Sequence, residues 1–413
     1  MNSFDQKTTI AYFVDDVSTS FVINDIIAFS KQYKHIFLFS VDEIEDRQEL
    51  PENVVLIDGF MDWNAFNKWG ILTAHFKSII KLYLKECFFS KKVLPVKKSI
   101  AILASNIFKS EALQKQIELR KINITDISFF YSFWFYDCIY LAWFKQLYPY
   151  IKLICRAHSG DLYEDHISIR NNILFRHFQM QELDAVYPVS KMGTAYLKNR
   201  YPKFSDKITT QYLGTDDYKC LNPFSKEQFV VVSCASFRHH KRIHKIAEAL
   251  LAVEKDVIWY HFGDENLTGN DPKIQEYIER KQQLEQNKNI TFKPMGLTSN
   301  RDLMRFYSKT PVNLFVSLSA VEGIPVSIME AIAFGIPVLS TDVGGCSEIV
   351  NDFTGILIPL KTEISEVSKI LNEFPDSNKN TLNFRQNVRL FWQTQFDANQ
   401  NYLDFFKKVN TKS

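Results

Sequence analysis

Short apolar runs, each followed by a stretch of helical periodicity, recur from one end of this 413-residue chain to the other. Runs of that length bounded by turns read as strands, and strands alternating with helices imply a parallel sheet, because parallel neighbours need long crossover connections. The first series is 10–14, 36–39, 54–57, 127–131 and 151–155. It pauses at 212–229, where Leu213-Gly214-Thr215-Asp216-Asp217 and Asn222-Pro223 form a turn-rich stretch of little periodicity. A second series follows at 230–234, 257–261, 290–293, 312–317, 337–340 and 356–358.

The expected fold class is therefore α/β, with two Rossmann-like parallel domains facing a central cleft. The domains expected are 1–215, a linker at 216–228, and 229–385, with 386–413 as one amphipathic closing helix carrying Leu390, Phe391, Phe396, Leu403, Phe406 and Val409. Open parallel sheets take ligands beyond the carboxyl ends of their strands, so function is expected in the loops that follow strands and in the cleft between the halves.

Composition excludes several classes. A hydrophobic share of 46% argues against a disordered chain, and a formal net charge of +2 gives no case for nucleic acid. The six cysteines form no C-x-x-C pair and sit mostly in apolar runs, as reduced core residues of a cytoplasmic protein would. Residues 1–9 lack the features of a signal peptide. The greasiest region, 69–89, is interrupted by Lys77, Lys81 and Lys85, so no spanning helix is expected.

Three segments carry chemistry. The densest runs from Val316 through Glu322-Gly323-Ile324-Pro325 to Glu330-Ala331, then Phe334-Gly335-Ile336-Pro337 and Val343-Gly344-Gly345-Cys346-Ser347-Glu348. It reads as a strand, a loop, a helix opened by Pro325 and a stop at Gly335, and amides at such a helix start suit a diphosphate. Glu322 and Glu330 are too far apart for a retaining glycosidase, whose two carboxyl groups stand about 5 Å apart, since eight helical residues span about 12 Å. The second segment, Ser236-Phe237-Arg238-His239-His240-Lys241-Arg242, is a cationic loop after a strand. The third, Arg156-Ala157-His158-Ser159-Gly160-Asp161, follows a strand of the first half.

On these residues the chain resembles the retaining glycosyltransferases of family 4, whose fold is GT-B and whose signature is a Glu, seven residues and a second Glu, matched by Glu322 and Glu330. The resemblance implies that Glu322 meets donor-sugar hydroxyls, that Gly323, Ile324 and Pro325 bring backbone to the sugar and diphosphate, and that Glu330 holds the ribose. It implies that Lys241 grips the leaving pyrophosphate. The usual Arg position is occupied by Ser236, with Arg238 two residues on as its substitute. His158 would lie against the donor sugar, with Arg156 and Asp161 as further contacts. The Arg-Ala-His-x-x-Asp-Leu-Tyr string, with Tyr187-Pro188-Val189-Ser190, resembles a bacterial subgroup of capsule and surface-glycan assembly. Many relatives have a Gly-Gly loop after the first strand, where this chain has Asp15-Asp16-Val17-Ser18-Thr19-Ser20.

The activity implied is transfer from a nucleotide-sugar donor to a glycan or lipid-linked acceptor, with no cofactor or metal. No Asp-x-Asp occurs in the chain to hold a cation. A nucleotide-sugar 2-epimerase of the same fold and a non-catalytic sugar-nucleotide-binding protein are the alternatives; a dinucleotide oxidoreductase lacks its G-x-G-x-x-G. Residues 68–121 carry twelve Lys and Arg against three Glu, interleaved with Trp69, Phe76, Tyr83, Phe88 and Phe89. That pattern is either a basic face resting on anionic lipid at the inner side of a plasma membrane, or a solvated face over core aromatics.

Overall fold

The strands of the computed structural model assemble into two six-stranded sheets in which every pairing is parallel. The structure describes residues 9–14, 20–44, 50–91, 93–164, 173–264 and 272–411. The first sheet contains β1 Thr9–Phe13, β2 His35–Phe39, β3 Val54–Ile57, β4 Ile127–Ser132, β5 Leu153–Ala157 and β6 Ala185–Pro188, in the order β3-β2-β1-β4-β5-β6. The second contains β7 Phe229–Cys234, β8 Val257–Phe262, β9 Ile290–Gly296, β10 Leu314–Ser317, β11 Val338–Thr341 and β12 Gly355–Ile358, in the order β12-β11-β10-β7-β8-β9. Each is the doubly wound order, which reverses direction between its first and fourth strands. Two parallel α/β domains are thus present, as the alternating pattern implies.

Strands buried on both faces explain why the runs are apolar throughout rather than alternating. All five residues of β5 are buried, and Phe13 stacks on Phe39 at 5.1 Å and tilts against Phe130 at 5.3 Å. In the second sheet Trp259 is fully buried, and its Nε1 donates to Ser233 Oγ at 2.9 Å. The edge strand β6 was not among the expected runs. It has four residues and ends in Pro188, which an edge tolerates because no ladder bond is lost.

Two expected boundaries need correction. The chain divides into a unit of Met1–Val189 with Gly193–Thr210 and a unit of Gln211–Ser413 with Ser190–Met192. The supposed linker, 216–228, therefore belongs to the second unit, and Asn222 is the reason. Its buried amide donates to the carbonyls of Tyr307 (2.6 Å) and Thr310 (2.8 Å) and accepts from Val312 N (2.9 Å) and the Arg385 guanidinium. The closing segment is two helices, Leu382–Gln395 and Ala398–Thr411. Thr215 separates them: its amide donates to Phe396 O at 3.0 Å and its carbonyl accepts from Ala398 N at 3.1 Å. Gly214 permits that insertion, since a Cβ there would lie 2.4 Å from Ala398 Cα.

Arg385 is fully buried, and burial pulls its pKa down to about 10. Removing Asn222 would leave that cation, two carbonyls and one amide short of partners. Asn222→Ala is expected to destabilise the second unit by about 2–4 kcal/mol, read from urea unfolding followed by tryptophan fluorescence. A loss below about 0.5 kcal/mol would mean that these bonds are replaced on mutation.

Candidate active site

The strand order of the second unit reverses between β7 and β10, which are hydrogen-bonded neighbours. Their exit loops must therefore leave side by side and turn apart, which opens a crevice at the carboxyl ends. After β7, Ala235 N donates to Phe262 O at 2.9 Å and Phe237 N to Asp264 O at 3.2 Å, so the loop lies along the end of β8. Gly263 allows this approach: a Cβ on it would stand 2.0 Å from Ala235 O. The 3-10 turn His239–Lys241 follows, and Arg242, at φ +53°, turns the chain into the helix Ile243–Leu251.

The loop after β10 is bonded to this turn. Ala320 N donates to His240 O at 2.6 Å, and Thr341 Oγ1 donates to Ser319 O at 2.5 Å from β11. Lys241 Nζ consequently reaches Glu322 Oε1 at 2.6 Å. Two segments 81 residues apart in sequence thus place an ammonium against a carboxylate, both half-buried. Ser236 and Arg238 stand exposed on the same β7 loop.

Two glycines fix the backbone at Glu322. Gly345 N donates to Gly323 O at 2.5 Å, and Gly344, at φ +55°, passes so close that a Cβ would lie 1.8 Å from Glu322 O. Ile324 and Pro325 are buried, so they pin the loop through packing and present backbone rather than side chains. Pro325 caps the helix Val326–Ala333, whose first amides point out of its N-terminal end. Glu330 is half-buried in that helix and accepts from Asn300 Nδ2 at 2.5 Å. Burial pushes its pKa up to about 7, and the Asn300 hydrogen bond opposes the shift.

Asn300 was missed by sequence reasoning. It opens the helix Asn300–Lys309 next to the cap residue Ser299, and β9 ends at Gly296, so a strand-end loop was the available signal. Gly344 and Gly345 stood within the densest sequence segment, but their role depends on a backbone approach that no spacing reveals.

The first unit gathers Arg156, His158 and Asp161 at the end of β5, with a different outcome for each. His158 is buried with its ring 4.6 Å from Phe133 and 4.7 Å from Trp134. Burial, then Arg156, lowers its pKa to about 3, so the imidazole is neutral at physiological pH. Arg156 is not a ligand contact: it is fully buried, pairs with Asp25 at 3.2 Å and donates from Nε to Tyr131 OH at 2.8 Å. Asp161 is likewise internal, accepting from Phe135 N at 2.6 Å and His158 N at 2.7 Å. Both were expected to bind substrate; instead Arg156 ties β5 to Asp25 and to Tyr131 of β4, and Asp161 holds the backbone at Phe135 and His158. The loop after β1 falls at 15–19, outside the described residues.

Residues 216–391 match the family model described as glycosyl transferases group 1. No curated protein matches the chain in sequence. Solved structures do. The lipopolysaccharide outer core galactosyltransferase WaaB in its apo form is 12% identical with a TM-score of 0.68, covering 98% of this chain and 100% of that one. A glycosyltransferase from Rickettsia africae is 16% identical with a TM-score of 0.68, covering 98% of each. Anabaena HepE in complex with UDP-glucose is 14% identical with a TM-score of 0.66, covering 98% of this chain and 99% of that one. At such identities the likeness establishes the fold, which is GT-B.

Because Gly344 combines positive φ with a backbone approach, Gly344→Ala is expected to cost about 1–3 kcal/mol and to displace the Glu322 loop. Gly160→Ala, where nothing lies within 4 Å of the added carbon, serves as the neutral comparison. Thermal unfolding of the two variants side by side checks this, and equal midpoints would refute it.

Proposed function

We propose that this enzyme, whose residues 216–391 are a group 1 glycosyltransferase domain, transfers a sugar from a nucleoside diphosphate sugar to a glycan or lipid-linked acceptor. The transfer retains the anomeric configuration, needs no metal and serves bacterial surface polysaccharide synthesis. The observation that carries this reading is the 2.6 Å contact of Lys241 with Glu322 at the reversal of strand order, beside the helix opened by Pro325. A cation, a carboxylate and a helix start are the groups that a sugar diphosphate requires together.

As the bond between sugar and phosphate breaks, negative charge grows on the departing β-phosphate and must be met by fixed positive groups. Lys241, exposed Arg238 and the first amides of Val326–Ala333 supply them without a metal. Glu322 and the Gly323 backbone receive the sugar, Ser236 lines the phosphate loop, and Glu330 accepts from the ribose hydroxyls. Neutral His158 meets the donor sugar as a hydrogen-bonding group rather than as a charge. The UDP-glucose held by the Anabaena neighbour supports a nucleotide-sugar donor, and the lipopolysaccharide role of WaaB supports a surface glycan as product.

The raised pKa of Glu330 gives the reading a pH signature. Below about 7 the group is protonated and has lost acceptor capacity, so donor affinity should fall as pH drops through that value. From pH 8 to pH 6 the fall should be about tenfold in calorimetric titrations with a nucleotide sugar, and absent in Glu330→Gln. A wild-type affinity independent of pH would remove Glu330 from the ribose.

Lys241→Ala should lower turnover by about 100-fold, and wild-type turnover should persist in excess EDTA with the donor's anomeric configuration kept in the product. Loss in EDTA restored by Mg²⁺ or Mn²⁺, or an inverted product by NMR, would overturn the mechanism.

A further inference from the structure

The first unit carries a helical face that none of the foregoing chemistry uses. Its helices are Lys68–Ala74, Phe76–Ser90 and Val96–Leu119. Along the middle helix Ile79 and Leu82 pack inward against Leu103, Ile107 and Trp143, and Glu86 accepts from the amides of His177 and Phe178 at 2.9 and 3.0 Å. Its other side should be polar, yet Phe76 (61% exposed), Ile80 (41%), Leu84 (60%) and Phe88 (76%) recur at every fourth residue. Trp69 stands beside them at 77%. One exposed apolar side chain needs no explanation, but a row of five does.

The row borders a groove of about 700 Å³ lined by Trp69, Leu72, Phe76, Ile80, Val96 and Ile100. Of the aromatic residues in this region, Phe108 packs against the core and tilts against Phe66 at 5.2 Å, and two more are taken up by the fold. Tyr83 OH donates to Leu94 O at 2.8 Å, and Phe89 stacks on His177 at 3.8 Å. Trp69, Phe76 and Phe88 are the ones left facing out.

Charge decides what the face meets. Residues 68–121 hold twelve Lys and Arg against three Glu. Of the three, Glu86 is buried on backbone amides and Glu111 pairs with His75 at 2.9 Å. Lys77 and Lys81 lie exposed one position beyond Phe76 and Ile80, so the apolar row has a cationic flank. A second copy of this chain would bring like charge against like. No described helix is long and apolar enough to cross a membrane, so the face can only lie on one.

We propose that this face docks on an anionic phospholipid bilayer, with an acyl chain entering the groove beside Trp69 and the lysines resting among the headgroups. The proposal concerns the first unit and stands apart from the reading of the donor site.

The test uses the full-length protein and vesicles of phosphatidylcholine with or without 30% phosphatidylglycerol. Binding by co-sedimentation should require the anionic lipid and fall roughly tenfold as salt rises from 0.1 to 0.5 M, where screening shortens the Debye length to ~4 Å. Brominated acyl chains should quench tryptophan fluorescence in the wild type, and Trp69→Phe should lose most of that quenching. Trp69→Ser with Phe76→Ser and Ile80→Ser should abolish binding, while Lys77→Gln with Lys81→Gln, Lys97→Gln and Lys98→Gln should weaken it. All these side chains are on the surface, and unchanged circular dichroism melting shows that the variants fold. Absence of binding at 0.1 M salt, equal binding to neutral vesicles, or a dimer that the triple serine variant dissociates would each overturn the proposal.

Discussion

Everything assigned to the second unit depends on the reversal of strand order between β7 and β10. Parallel neighbours whose crossovers run to opposite sides must send their exit loops apart, and the space between the loops is lined by whatever residues follow the two strands. Here those residues are a cationic turn and a Glu-Gly loop, and the bond from Ala320 N to His240 O keeps the two in register. The contact between Lys241 and Glu322 is then a consequence of topology rather than of any local propensity. The close passage of Gly344 over Glu322 supplies the remaining constraint, because a side chain at that position would push the loop away.

The first unit answers a different problem, that of holding polar groups inside a packed interior. Asp161 and Glu86 each accept backbone amides, and in both cases burial still pushes the pKa up to about 7. The sign of the resulting pH dependence follows directly. Both groups bind protons more tightly folded than unfolded, so between roughly pH 4 and pH 7 the native state holds more protons and its stability falls as pH rises through that window. Asp161 is further tied to Arg176, whose guanidinium stacks on Phe135 at 3.4 Å and donates to the Asp161 carbonyl. The aromatic loop next to His158 is therefore tied into a buried network around Asp161 and Arg176.

That difference explains which parts of the molecule were legible in the sequence. Most strand positions were readable to within two residues, because doubly buried strands have to be apolar along their whole length, whereas the edge strand β9 runs three residues past its expected end through the exposed Pro294 and Met295. β6 escaped because four residues ending in proline look like a turn. The single closing helix was misread because its apolar spacing continues across Phe396 and Asp397, while the break comes from Thr215, far away in the chain. At the candidate site, Glu322, Glu330 and Lys241 were picked out because they lie in segments that follow strands and match the motif of the family the chain resembles. Arg156 and Asp161 looked equivalent to them, since a polar residue after a strand can face a crevice or turn inward, and only the partners Asp25, Tyr131 and Phe135 distinguish the two.

The pairing of Lys241 with Glu322 also bears on how such a loop can exist before any donor arrives. Arg238, Lys241 and Arg242 stand just before the helix Ile243–Leu251, where positive charge is opposed by the helix dipole. Glu322 relieves that opposition locally, so the turn is compatible with a folded protein of modest stability. A diphosphate offers Lys241 more negative charge than one carboxylate does, and the attraction in a half-buried site exceeds that in water. On the proposed reading, the arriving diphosphate draws Lys241 away and leaves Glu322 with an uncompensated charge that sugar hydroxyls can satisfy. Binding of the phosphate end would then prepare the sugar end, which couples the two halves of the donor through one shared ion pair.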